Sequence, residues 1–338
     1  MLFIVVTFLC LGLLLYFLLG GADFGAGIVE LFTSRRNRSR TRRTSYQAIG
    51  PIWEANHMWL IIAIVILFVG FPRIYTVMSI HLHIPLVILL IGIIARGTAF
   101  VFRHYDAVRD DMQLVYNGIF EYSSIITPLF LGIIAGSAIS GSIDLHADNF
   151  ADAYIWSWLN WFSVAVGFFT VALCGFLAAV FLIGEADDEH DIRRFIRKAR
   201  HFNLVAVACG AGVFAAAHRQ GVPLVQWLFG NPVSLTAILA ATLSLALLWY
   251  LLRQGRARIL RLLAGFQVTM ILLAVSYAHF PDFIITRSGE NLSLWQTQAP
   301  ASTIAALGWA LVLGSVFILP FLIYLFYSFQ KHPVHEDF

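Results

Sequence analysis

The chain alternates between long apolar runs and short polar blocks. Nine runs approach or exceed the roughly 20 residues that a helix needs to cross a bilayer. They cover residues 2–22, 53–71, 76–100, 115–139, 155–183, 200–218, 233–252, 259–280 and 303–328. Each run is continuous rather than alternating, which predicts helices and excludes a membrane β-barrel. The first run lacks a basic leader and continues through GGADFGAG (residues 20–27) without a clear cleavage site, so it reads as a retained helix. The Phe71–Pro72 pair closes the second run, and Pro85 predicts a kink in the third. The expected fold class is an all-α, polytopic helical membrane protein with about nine transmembrane helices.

Composition agrees with this pattern. Of 338 residues, 59 % are hydrophobic and 12 % charged, and the mean hydropathy is +0.80. A soluble domain carries about 25 % charge. The formal charge of +3 sits in short blocks between the runs and does not point to nucleic acid. Those blocks set an orientation. RRNRSRTRR (residues 35–43, six arginines), RHYDAVRDD (103–111), GEADDEHDIRRFIRKAR (184–200) and RQGRARILR (253–261) all fall in odd-numbered loops. The even-numbered loops carry little positive charge, so the odd ones are expected in the cytoplasm. Nine spans then place the N-terminus outside and the C-terminus inside.

The loops are too short for a soluble catalytic domain, so function must lie within the membrane or at a partner. The chain has no glycine-rich phosphate loop, no CxxC and no CxxCH. Cys10, Cys174 and Cys209 lie in apolar runs and read as small buried hydrophobes. No metal site is expected in this chain.

Charged groups inside the spans are costly unless paired or near water, so each invites a functional hypothesis. The topology places Asp23 near the inner end of helix 1, with Glu54 and His57 at the inner start of helix 2. Arg96 and Arg103 fall near the inner end of helix 3, with Asn117 and Glu121 in the first turns of helix 4. Asp23, Glu54, His57, Arg96 and Glu121 are thus expected in one polar layer. Glu54 and His57, three residues apart, share a helix face. A carboxylate beside an imidazole suits proton transfer near neutral pH. Snorkelling of end-of-helix charges to the interface, or a fixed structural pair, fits the same residues. His81 and His83 point in different directions on a helix and make a poor metal pair, while His218 and His279 read as interfacial. Gly21 and Gly25, with Ala22 and Ala26, form a small-residue stripe that lets helices approach closely.

Four stretches in order carry a family resemblance: GADFGAG (21–27), WEANHMWL (53–60), RGTAFVFR (96–103) and ITPLFLGIIAGSAISG (126–141). They resemble the motifs of subunit II of the cytochrome bd-type terminal oxidases. Asp23 falls on the acid of the glycine-rich motif, and Glu54 and Asn56 on the acid and asparagine of the tryptophan motif. The resemblance implies two four-helix halves and one peripheral helix. Residues 1–140 form the first half with its polar layer, 141–280 the second, and 281–338 an outer loop and ninth helix. It also implies a complex that reduces dioxygen to water with quinol as electron donor. Haems b and d are then expected in a partner subunit I, and no tightly bound cofactor in this chain. A structural quinone and a small single-helix accessory subunit occur within what the resemblance admits, as do membrane lipids as partners. Subunit II supports assembly and supplies part of a cytoplasmic proton route, to which the acids at Asp23 and Glu54 belong. Departures from the family pattern are Glu54 in place of aspartate, Ala55, His57 and Glu121. A proton-coupled transporter and a purely structural membrane subunit are the competing classes.

Overall fold

The computed structural model describes residues 1–50, 52–105, 112–186, 188–254 and 257–331. Among these, nine helices are long and apolar enough to cross a membrane. The first span comprises α1 (Leu2–Leu15), a π-helical turn at Tyr16–Gly20 and α2 (Gly21–Leu31) in one unbroken rod. Next come α3 (Arg35–Ile49), α4 (Trp53–Gly70), α5 (Pro72–His81), α6 (His83–Tyr105) and α7 (Met112–Ile139). The short α8 (Phe150–Tyr154) leads to α9 (Trp161–Ile183) and α10 (Glu189–Gln220). The chain ends with α11 (Leu224–Phe229), α12 (Pro232–Gln254), α13 (Ala257–His279), a two-stranded ribbon and α14 (Ala301–Lys331). The ribbon pairs β1 (Asp282–Ile284) with β2 (Leu292–Ser293).

Three expectations change. The first span runs to Leu31 rather than residue 22, which leaves Asp23 inside a helix instead of at its end. At 1.5 Å per residue, eight residues put Asp23 about 12 Å from the helix terminus. The third run breaks at Leu82 instead of kinking at Pro85. Pro85 falls in the first turn of α6, where its missing N–H costs nothing. The six-arginine block is a helix rather than a loop. Residues 106–111, 187, 255–256 and 332–338 of the polar blocks and tail lie outside the described residues.

Helix α9 is the hub and packs against α2, α7, α10 and α13. Glycine makes the closest contacts. A Cβ on Gly25 would strike the carbonyl oxygen of Cys174, and one on Gly27 would overlap Ser124 Oγ. The expected Gly21/Gly25 stripe thus lies against α9, with Gly21 facing Cys174 Sγ. Helices α6 and α7 pack side by side, α4 packs on α1, and α14 covers both α1 and α4.

Successive antiparallel helices gather the basic blocks at one end of the bundle, where the cations do structural work. Lys198 Nζ donates to the carbonyls of Phe32 (2.7 Å) and Val29 (3.3 Å), capping α2. Arg261 caps α9 through the Phe181 carbonyl at 2.7 Å and pairs with Glu185 at 2.6 Å. Both follow from the free carbonyls at helix C-termini. Arg40 pairs with Asp188, and with Asp191 at 3.1 Å, tying α3 to α10. Asp188 caps α10 by accepting from His190 N at 3.1 Å. That N–H and Arg40 hold its carboxyl below the usual carboxylate range. At the opposite end the ribbon closes the bundle, with Ile285 N donating to Ala138 O and Ala299 N to Gly70 O, both at 2.8 Å.

Candidate functional site

A column of charged side chains runs from the basic end into the bundle between α2, α6 and α7. Its inner rung is Asp23 with Arg96, both 1 % exposed. Arg96 donates from Nη1 to Oδ2 at 2.8 Å and from Nη2 to Oδ1 at 2.7 Å, and also reaches the Asp23 carbonyl at 2.8 Å. Its Nε donates to Ser124 Oγ of α7 at 3.2 Å. This two-pronged geometry is what a planar guanidinium offers a carboxylate. His57 of α4 completes the rung, with Nε2 at 3.4 Å from Asp23 Oδ2.

The outer rung repeats the inner one two turns away. Glu30 is fully buried, and Arg103 Nη1 donates to its oxygens at 3.1 and 3.2 Å. Arg42 of α3 donates from Nε to Glu30 Oε1 at 2.6 Å. Asp23 to Glu30 and Arg96 to Arg103 are both seven-residue steps, so two parallel helices present matching charges about 10 Å apart along their axes. The Phe120 ring lies between the rungs, 4.8 Å from the Arg96 guanidinium and 4.1 Å from that of Arg103. Such contacts stabilise cations cut off from water. Glu121 of α7 is 4 % exposed and stands 3.6 Å from Arg38 Nη1 and 3.8 Å from Arg42 Nη2.

Of the five residues expected in one layer, Asp23, His57 and Arg96 meet directly. Glu121 belongs to the outer rung. Glu54 is exposed on the bundle surface and makes no ion pair, with His57 or any other group, among the described residues. Positions three apart on a helix are displaced by roughly 60° around its axis, and the bundle boundary falls between them. His57 therefore turns inward to Asp23 rather than to Glu54. Glu30 was missed, because the first span was ended at residue 22. The matched seven-residue spacing was the signal that could have found it.

His57 sits in an aromatic cage, with ring centres of Tyr16, Phe24 and Trp53 at 6.0, 5.6 and 6.4 Å. Its Nδ1 is buried without a hydrogen-bond partner among the described residues, as are Tyr16 Oη and Asn56 Oδ1. The π-helical turn begins at Tyr16, and such turns concentrate at functional sites. Among the described residues no group of three or more His, Cys, Asp and Glu side chains could hold a metal. His81 Nδ1 contacts Ala153 O at 3.1 Å and His83 Nδ1 contacts Ile80 O at 2.8 Å. A cavity of about 400 Å³ between α9, α10, α12 and α13 has Asn203, Thr242 and Gln267 among apolar walls and no titratable lining residue.

The chain matches the family described as cytochrome bd terminal oxidase subunit II over residues 1–329. It is 30 % identical over 221 residues to the cytochrome bd ubiquinol oxidase subunit 2 of Bacillus subtilis (strain 168). That alignment spans 63 % of this chain and 62 % of the relative. Over an alignment of 350 positions it is 24 % identical to the cytochrome bd-I ubiquinol oxidase subunit 2 of Escherichia coli (strain K12), covering 94 % and 91 % of the two chains. The fold is shared with a chain of the bd oxidase from Geobacillus thermodenitrificans, with a TM-score of 0.79 at 20 % identity, covering 98 % of this chain and 99 % of that one. On the extent of the family match, this multi-pass membrane chain belongs to the subunit II family of the cytochrome bd-type terminal oxidases.

Proposed function

We propose that the chain is the haem-free second subunit of a bd-type oxidase complex. It supports assembly of a haem-bearing subunit I and supplies part of the proton route for reducing dioxygen to water, with quinol as electron donor. The donor site and haems b and d belong to subunit I in this reading. It keeps the basic end in the cytoplasm, the N-terminus outside, and the division into two four-helix halves (residues 1–140 and 141–280) plus a peripheral outer unit (281–338).

One observation carries the reading: the column of buried polar groups that starts at the partly exposed Arg38 and Arg42 and ends at His57. Oxygen reduction at a buried haem consumes protons, and hydrocarbon does not conduct them. His57 is the hand-over group. It touches Asp23 through one nitrogen, leaves the other without a partner, and lies one helical turn from the outward-facing Glu54. Imidazole exchanges protons near neutral pH. Glu54, on the bundle surface, is placed to pass them to subunit I.

The test is His57→Gln and Glu54→Gln in the purified complex. Haem absorbance is expected to stay, and oxygen consumption to fall by at least about tenfold, the lower range for losing a proton-transfer group. Unchanged turnover across pH in both variants would reject the route. Loss of haem together with turnover would make the role structural.

A further inference from the structure

The three buried carboxylates of the column are not equivalent. Asp23 receives three hydrogen bonds from Arg96, two of them on its carboxylate oxygens. Glu30 receives three from Arg42 and Arg103. A carboxylate gripped at both oxygens by guanidinium has little room to accept a proton without breaking the grip. Glu121 differs. Its arginines stand at 3.6 and 3.8 Å, beyond hydrogen-bond length, and its Oε1 has no hydrogen-bond partner among the described residues.

Its surroundings connect it to water. The Arg38 and Arg42 side chains are 33 % and 28 % exposed, so the path along their stems reaches the basic surface. Four residues earlier on α7, Asn117 is buried, and its Oδ1 has no hydrogen-bond partner among the described residues. Three residues later, Ser124 Oγ accepts from Arg96 of the inner rung. Glu121 thus stands between a solvated guanidinium pair and the rung that touches His57. The charged groups around it are Arg38 and Arg42 from α3, Glu30 from α2 and Arg103 from α6.

We infer that Glu121 is the proton-accepting group at the intake of the column, and that the guanidinium grips of Asp23–Arg96 and Glu30–Arg103 hold the column in place around it. Its carboxylate takes one proton from surface water, becomes the neutral acid, and returns to carboxylate as the inner rung takes the proton up, with the His57 imidazole beside Asp23 as the accepting base. Nothing else is consumed. The solvated ends of Arg38 and Arg42 keep their counter-ions and absorb the change of charge. The inference rests on the proton-route reading and assigns its first carrier.

The test uses the assembled complex with Glu121→Gln, Glu121→Asp and His57→Gln side by side. Glu121→Gln is expected to lower oxygen consumption at least about tenfold and flatten its pH profile, with haem absorbance unchanged. Glu121→Asp, which keeps a carboxyl, is expected to retain most turnover. Infrared difference spectra are expected to contain a protonated-carboxyl band that Glu121→Gln removes and Glu121→Asp shifts. Wild-type turnover and pH profile in Glu121→Gln overturn the inference. If His57→Gln is then still impaired, the route stands without Glu121, and if it is not, the route falls too. Should Glu121→Gln fail to assemble, the aspartate variant decides: a shifted band supports the inference and an unshifted one rejects it.

Discussion

Two interfaces in this bundle are built from opposite materials. Between α2, α6 and α7, Asp23, Glu30, Arg96, Arg103 and Glu121 are all at least nine-tenths buried. Where α9, α10, α12 and α13 meet, the core is Leu173, Phe176, Phe195, Ala199, Leu252 and Ala264. The side-chain hydrogen bond deep in that core is neutral, from Trp249 Nε1 to Asn203 Oδ1 at 2.9 Å. The second interface shows that helices of this chain pack around an apolar deep core, with the Arg261–Glu185 pair at its partly exposed end. Burying an ion costs several kcal/mol before pairing offsets it. Cohesion therefore does not require the charges of the first interface, and the proposed proton route gives them a role.

The sharpest way to break this contrast is to remove one partner of the inner rung. Arg96→Leu leaves Asp23 buried and unpaired, at a cost of about 3–5 kcal/mol. The expected outcome is loss of assembled complex, read as haem absorbance co-purifying with a tagged chain. Replacing both partners, Asp23→Leu with Arg96→Leu, turns the first interface into the material of the second. Such swaps are often neutral or stabilising, so haem is expected to return. A double variant as unstable as the single one would show the charges to be structural after all.

The second test concerns what both interfaces share, close approach to α9. Gly25→Ala drives a Cβ into the carbonyl of Cys174, which is backbone and cannot swing away. Overpacking of this kind costs about 1–3 kcal/mol, and a lower thermal midpoint of the detergent-solubilised complex is expected. Gly118→Ala is the control, since nothing lies within 4 Å of its added Cβ. It is expected to match the wild type or exceed it slightly, because alanine is the better helix former. Equal losses in both would place the effect outside the α2–α9 contact.

The two interfaces were unequally legible in the sequence. The apolar one follows largely from run length: α12 and α13 agree with the apolar runs to within two residues, while α9 begins six residues after its run and α10 eleven residues before its own, inside the basic block 184–200. The charged one was half visible. Asp23, His57, Arg96 and Glu121 stand out as charges in oil, but apolar runs give depth and no azimuth. That is why Glu54 was placed beside His57 and faces outward instead. Glu30 was hidden for a different reason. The first apolar run was ended at residue 22, yet the helix runs on to Leu31, where Lys198 of α10 caps it. The basic blocks predicted orientation, while their contacts as caps and latches depend on partners more than 70 residues away, as with Arg261 on Glu185 and Arg40 on Asp188. The break at Leu82 also depends on distant chain, since its carbonyl neighbour His81 accepts from Ser157 Oγ at 3.0 Å.

The smallest expected effect tests the apolar side of the contrast. Trp249→Phe keeps an aromatic ring against α10 and removes only the indole N–H. Asn203 is 3 % exposed, so its Oδ1 would lose its donor with no ready replacement from water. An unsatisfied buried acceptor costs about 1–3 kcal/mol, while replacing both partners by apolar groups is close to neutral. The single variant is therefore expected to lower the thermal midpoint slightly, and Trp249→Phe with Asn203→Leu to restore most of it. Neither is expected to change oxygen consumption or its pH profile, because no titratable group lines the adjoining cavity. The same measurements applied to His57→Gln should give the reverse result, turnover lost and stability kept. If Trp249→Phe instead slows turnover at unchanged stability, the neutral interface also carries protons or holds a ligand that turnover needs. The division between a packing half and a chemical half would then no longer describe this subunit.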